Sequence, residues 1–119
     1  ISAAAAGRAL DDRIDGVVLT STLFLANRAV PGLSGFDFAT IKAPLLFVHH
    51  ADDGCNVTPY SSAKPLAARY PLITVNGGDP PRSKPCDALS PHGYLGRERE
   101  TVGEMVNWML KKPYRTVIE

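Results

Sequence analysis

Two adjacent aspartates and three histidines are the residues of this chain best suited to proton transfer, and their places along it are informative. Asp52 and Asp53 follow the apolar run Leu45-Leu46-Phe47-Val48-His49, and His92 lies in the long loop after a second apolar run, Leu72-Ile73-Thr74-Val75. In open α/β sheets the residues that act on ligands sit just past the C-terminal ends of strands. An acid after one strand and an imidazole after the next can meet across neighbouring strand ends. The carboxylate then orients the ring and stabilises its charged form, while the ring takes and returns a proton. Asp and His are also ordinary loop residues, so a non-catalytic α/β binding or subunit-interaction module is the alternative. It is favoured if the two side chains lie far apart. His49 and His50 with Asp52 and Asp53 contain zinc-ligating types. Neighbouring histidines after a strand point different ways, however, and no third ligand is near, so neither a metal nor another cofactor is expected. His50 is read as a turn hydrogen-bonding residue or a wall of the site.

The elements that must hold these residues read as follows. Ser2 to Ile14 has helical composition, with Leu10 and Ile14 extending a face through Ala6 and Ala3, and its small residues imply close packing. Val17-Val18-Leu19-Thr20 is a short continuous apolar run, the pattern of a buried parallel strand. Residues 21–41 lack a clean period and are broken by Pro31, Gly32 and Gly35. The strand ending at His49 comes next, then a helix opening near Pro59 with Ala63, Leu66, Ala67 and Tyr70 at helical spacing, then the strand Leu72–Val75. Pro80, Pro81, Pro85 and Pro91 exclude regular structure from Asp79 to Gly96. Glu100 to Leu110 is the last helix, its apolar stripe Val102, Met105, Val106 and Met109, with Trp108 beside it, expected to pack on the sheet. The fold class is therefore α/β: part of an open, mostly parallel sheet covered by helices. Three strands are few, which predicts missing chain or a partner that completes the sheet.

Bulk properties exclude other classes. With 119 residues there is one domain at most, and 45% hydrophobic residues are ordinary for a globular protein. Thirteen basic and twelve acidic side chains leave a charge of +1, which gives no field to steer nucleic acid. The alternating Arg97-Glu98-Arg99-Glu100 reads as a solvated helix start. No run approaches the roughly 20 apolar residues of a membrane span. The N-terminal Ile1-Ser2-Ala3-Ala4-Ala5-Ala6 has neither initiator methionine nor signal-peptide character and reads as a cut. A nucleotide-type doubly wound fold is disfavoured, because Asn76-Gly77-Gly78-Asp79 leads into prolines and not into a helix.

Ile41-Lys42-Ala43-Pro44-Leu45-Leu46-Phe47-Val48-His49-His50-Ala51-Asp52-Asp53 resembles the segment of α/β-hydrolases in which a proline-led strand ends in a histidine or glycine turn and then the triad acid. Asp53 matches the acid position and Asp52 falls one residue short of it. Ser90-Pro91-His92-Gly93-Tyr94 resembles the family's late histidine, followed by glycine and an aromatic before the last helix. The resemblance covers almost the whole chain. It implies the C-terminal half of a serine hydrolase of esterase or lipase type, with Asp53 and His92 as catalytic acid and histidine.

The glycine-x-serine-x-glycine elbow of that family is absent. Ser61, Ser62 and Ser90 lack its strand-turn-helix setting and read as solvent or helix-cap serines. The nucleophile and oxyanion hole are therefore expected upstream of Ile1, in the missing N-terminal part of the same protein or in a completing chain, and these residues alone are expected to be inactive. The substrate class is a small-molecule ester or similar acyl compound. Leu23, Phe24, Leu25, Leu33, Phe36 and Phe38 are expected to line or cover its pocket, favouring a hydrophobic acyl or aromatic part. If Asp53 and His92 do converge, Cys55 and Cys86 come within disulfide range. Closing that loop of about 30 residues stabilises by about 3 kcal/mol. It implies a periplasmic or secreted protein, whereas unpaired thiols would indicate a cytoplasmic one.

Overall fold

The computed structural model describes residues 1–29 and 31–119; Val30, within the segment read as irregular, lies outside the described residues. Four parallel strands form one sheet in the order β1-β2-β3-β4: β1 Val17–Thr20, β2 Leu45–His50, β3 Leu72–Val75 and β4 Val117–Ile118. The register pairs Val17 with Leu45, Phe47 with Leu72 and Thr74 with Val117. All six residues of β2 are buried, as its uninterrupted apolar run requires of a strand covered on both faces. β2 runs one residue further than expected, through His50, so its loop opens at Ala51.

Alternation along the strands sends side chains into two cores. Val17, Leu19, Leu45, Phe47 and Leu72 meet α1 (Ser2–Leu10), the 21–41 segment and α2 (Tyr60–Ala63) on one face. Leu46, Val48, Ile73, Val75 and Ile118 meet Tyr94, Tyr114 and α3 (Glu98–Met109) on the other. Small residues set how close α1 comes: Ala4 and Gly7 are its buried positions, and a Cβ on Gly7 would stand 2.8 Å from Val17 Cγ2. The expected face through Ala3, Ala6 and Leu10 is exposed instead, because the α-helix gives way to a 3-10 turn at Asp11–Arg13 and Ile14 packs from beyond it.

Three further expectations are corrected. The helix over 59–70 has a single α-turn and continues as a 3-10 segment, Lys64–Ala68. Pro65 has no N–H to give the α ladder, so the helix cannot propagate through it. In α3, Met105 and Trp108 pack on the sheet as read, but Val102, Val106 and Met109 are exposed and Thr101 and Glu104 are buried. The cause is β4, which the sequence reading missed. Glu104 turns inward to accept the backbone N–H of Arg115 and an amide hydrogen of Asn107, fastening the segment that leads to β4. The start of α3 is likewise more than a solvated end: Arg97 donates to the Asn76 carbonyl at 3.1 Å and pairs with Glu100 at 3.3 Å. No described helix is long and apolar enough to cross a membrane.

Candidate functional site

Asp53 and His92, 39 residues apart, meet beyond the C-terminal ends of β2 and β3. His92 Nδ1 lies 3.0 Å from Asp53 Oδ2 and 3.2 Å from Oδ1. The carboxylate is fully buried and the imidazole about one-fifth exposed. The turn after β2 holds the acid: the Cys55 N–H donates to Oδ1 at 2.9 Å and the Thr58 hydroxyl to Oδ2 at 2.8 Å. His49 Nε2 approaches Oδ2 at 3.4 Å. Burial alone would raise the proton affinity of Asp53. The hydrogen bonds from His49, His92, the Cys55 amide and Thr58 outweigh it and hold the carboxyl well below the usual carboxylate range. Asp53 is thus a fixed negative charge, and the bond to it places the His92 ring proton on Nδ1. His92 Nε2 has no hydrogen-bond partner among the described residues and is left for a proton relay.

The backbone carrying His92 is fixed from β1 and β2. Ser21, just past β1, donates through Oγ to the His92 carbonyl at 2.7 Å, and its N–H donates to the Tyr94 hydroxyl at 3.0 Å. Tyr94 donates in turn to the Val48 carbonyl at 2.9 Å. Both gripping residues hold left-handed backbone, φ 43° at Ser21 and 61° at Tyr94, which non-glycine residues adopt only where surroundings impose it. Gly93, between His92 and Tyr94, is needed for close approach, since a Cβ there would collide with the Ala88 carbonyl. A serine in strained backbone at a strand end invites comparison with a nucleophile elbow. Among the described residues no helix opens directly after Ser21, however, and its Oγ is spent on the His92 carbonyl rather than aimed at the ring.

Burial is the main reason the Tyr94 hydroxyl is pushed up to about 12, with the Asp53 charge adding to it against the Ser21 contacts. A raised phenol contributes stability that is complete below about pH 10 and is lost as pH rises toward the folded value, because the unfolded chain ionises first. Tyr94→Phe is therefore expected to cost about 1–2 kcal/mol near pH 8 through its lost hydrogen bonds. That deficit should shrink as pH rises from about 9 to about 11.5, as read by urea unfolding of both proteins across the range. A deficit independent of pH would mean that Tyr94 ionises as freely folded as unfolded.

Other candidates fall into place around this pair. Asp52 is exposed, and its N–H donates to His50 Nδ1, while His50 Nε2 contacts the Gly77 carbonyl, the turn-bonding role expected of it. Among the described residues no cluster of three or more His, Cys, Asp or Glu is arranged to hold a metal ion. Ser61 is exposed and Ser62 half-buried, but Ser90 is neither solvent-facing nor a side-chain cap: it is buried and hydrogen-bonded to the Pro85 and Asp87 carbonyls. Cys55 and Cys86 form a disulfide. Phe24, Leu25, Leu33, Phe36 and Phe38 line a hollow of about 390 Å³ with Leu66 and Tyr70. The Phe24 ring stands 5.8 Å from that of His49, which links this wall to the acid. Sequence reasoning weighed His49 only as a metal ligand and not as a neighbour of Asp53, and it missed Thr58 and Ser21. Only His49 carried a signal, as a polar residue inside a wholly buried strand that must find a partner.

Comparison with protein-family models, with curated proteins and with solved structures found no match to this chain.

Proposed function

We propose that Asp53 and His92 are the acid and histidine of a serine-hydrolase triad of the α/β-hydrolase kind. The nucleophile and oxyanion hole would come from chain outside these residues, in the N-terminal part of the same protein or in a completing chain. The observation that carries the reading is the asymmetric wiring of His92: Nδ1 bonded to a buried, multiply hydrogen-bonded carboxylate and Nε2 unengaged. A base set to relieve a serine of its proton needs this arrangement, since the acid fixes the tautomer and stabilises the imidazolium that forms. The alternative, an incidental Asp and His in a binding module, is favoured by separation of the two side chains, and they are in contact. Serine attack, with His92 taking the hydroxyl proton, would break the ester C–O bond and give an acyl-enzyme, the alcohol leaving with that proton. Water activated at His92 Nε2 would then release the acid product and restore the serine.

Two further observations support the reading. β1 has a neighbour on one side only, and beside it a hollow of about 690 Å³ is walled by Ile14, Val18, Pro44, Trp108 and Met109. An apolar edge strand of this sort needs a cover, and further sheet would provide it. The aromatic wall at Phe24, Phe36 and Phe38 suits an ester with a hydrophobic acyl or aromatic part. The Cys55–Cys86 bond supports an oxidising compartment, periplasmic or extracellular.

The test is labelling of the protein purified from its source with a fluorophosphonate, followed by peptide mapping. The expected label sits on a serine in a glycine-x-serine-x-glycine setting outside residues 1–119. An unlabelled protein, alongside a known serine hydrolase that labels fully, would overturn the proposal.

A further inference from the structure

On the reading above, in which Asp53 and His92 act as one relay, we propose that His49 is a positioning residue for it: a second imidazole on the same carboxylate, which fixes Asp53 from behind and limits how strongly it pulls on His92. His49 is buried near the end of β2, its ring 5.8 Å from Phe24 and 6.2 Å from Tyr60. Its Nε2 lies 2.7 Å from the Thr58 carbonyl oxygen. A carbonyl only accepts, so Nε2 carries the ring proton. The same nitrogen stands 3.4 Å from Asp53 Oδ2, a charge contact beside the hydrogen bond to Thr58. Nδ1 is buried without a partner. A phenyl ring would fill this space with no orphaned nitrogen, so packing alone does not account for an imidazole here, and the bonds at Nε2 do.

The two contacts of Nε2 act on the relay at two points. One reaches the carboxylate itself. The other holds the backbone of Thr58, whose hydroxyl contacts both Asp53 at 2.8 Å and His92 Nδ1 at 3.1 Å. Among the described residues the groups facing Asp53 are His49 from β2, the Cys55 amide and Thr58 from the turn, His92 from the loop after β3, and the neutral Tyr94 hydroxyl within the reach of its charge. Each donor draws on the same negative charge. Removing His49 leaves more of it to His92, so the imidazolium at His92 becomes more stable.

Imidazole nitrogen NMR of the purified protein reads this directly. In His49→Phe the titration midpoint of His92 is expected to rise by roughly half a pH unit or more. In His49→Gln, whose amide nitrogen can replace Nε2, it should return toward the parent value. An unchanged midpoint in a folded His49→Phe protein overturns the inference. Asp53→Asn separates this failure from that of the triad reading. If it leaves the His92 midpoint unmoved, Asp53 and His92 are not a coupled relay. If it lowers the midpoint while His49→Phe does nothing, only the role of His49 is lost. Should His49→Phe not fold, the parent spectrum decides: a His49 ring protonated at Nδ1 overturns the proposal. A ring protonated at Nε2, with a parent-like midpoint in His49→Gln, upholds it.

Discussion

If Asp53 and His92 serve the triad proposed above, replacing His92 with alanine in the complete protein is expected to lower kcat for ester hydrolysis by roughly 10⁶-fold, and Asp53→Asn by roughly 10⁴-fold, with KM little changed in either. The two numbers differ because the groups do different work. Without the imidazole nothing takes the proton from the attacking serine or returns it to the leaving group. In Asp53→Asn the ring remains, but the amide presents an N–H₂ or a neutral oxygen where a carboxylate stood, so the ring loses its charge partner and can settle in the wrong tautomer. Neither substitution should undo the fold. The His92 side chain is hydrogen-bonded only through Nδ1, to Asp53 and Thr58, among the described residues, and an asparagine side chain keeps one oxygen for the Cys55 amide while its NH2 can donate to the Thr58 hydroxyl oxygen. Steady-state hydrolysis of a chromogenic ester, with unfolding midpoints measured on the same preparations, checks both. A His92→Ala enzyme within tenfold of the parent would remove His92 from the chemistry.

Much of this arrangement can be read from residues, and what cannot has physical reasons. Val17–Thr20, Leu45–His49 and Leu72–Val75 announce themselves because a parallel strand buried on both faces must be apolar at consecutive positions. The acid and the histidine are legible because strand ends place them. β4 is not, since two residues, Val117 and Ile118, carry no period. It exists through pairing: the Thr74 N–H to the Thr116 carbonyl and the Asn76 N–H to the Ile118 carbonyl. That pairing also turns Glu104 inward and leaves Val102 and Met109 exposed, so an error about α3 follows from a strand beyond its end. His49 and Thr58 escape for a similar reason. Their partners are set by how the turn after β2 folds back on the strand, and a hydrogen-bond network of this kind has no spacing rule. Pro65 is the contrary case, a local signal strong enough to end an α-helix after one turn.

The disulfide joins the loop of the acid to the loop of the histidine, and its loss is expected to be the largest stability effect in the molecule. Cys55 and Cys86 are separated by 31 residues. Constraining an unfolded loop of that length stabilises by roughly 3–4 kcal/mol in the chain-entropy account. For a chain of this size that corresponds to a fall in Tm of roughly 10–15 °C in the double variant Cys55→Ala/Cys86→Ala. The double substitution is the cleaner test, because a single one leaves a reactive thiol. Residues 80–89 between β3 and Ser90 are mostly exposed and held by few internal bonds, among them Arg82 N–H to the Leu89 carbonyl and Ser90 Oγ to the Pro85 and Asp87 carbonyls. Among the described residues, the hydrogen bonds that still tie that loop to the Asp53 turn without the disulfide are those at its far end, where His92 meets Asp53 and Thr58. The Ser21 and Tyr94 contacts still fix the His92 backbone from β1 and β2. Stability should therefore fall much further than the Asp53–His92 coupling: the His92 midpoint should stay within a few tenths of a pH unit of the parent while Tm drops. Calorimetry and imidazole NMR on the same variant measure the two separately. A midpoint that collapsed along with Tm would show that the covalent tie, and not the grip of Ser21 and Tyr94, holds the histidine in place.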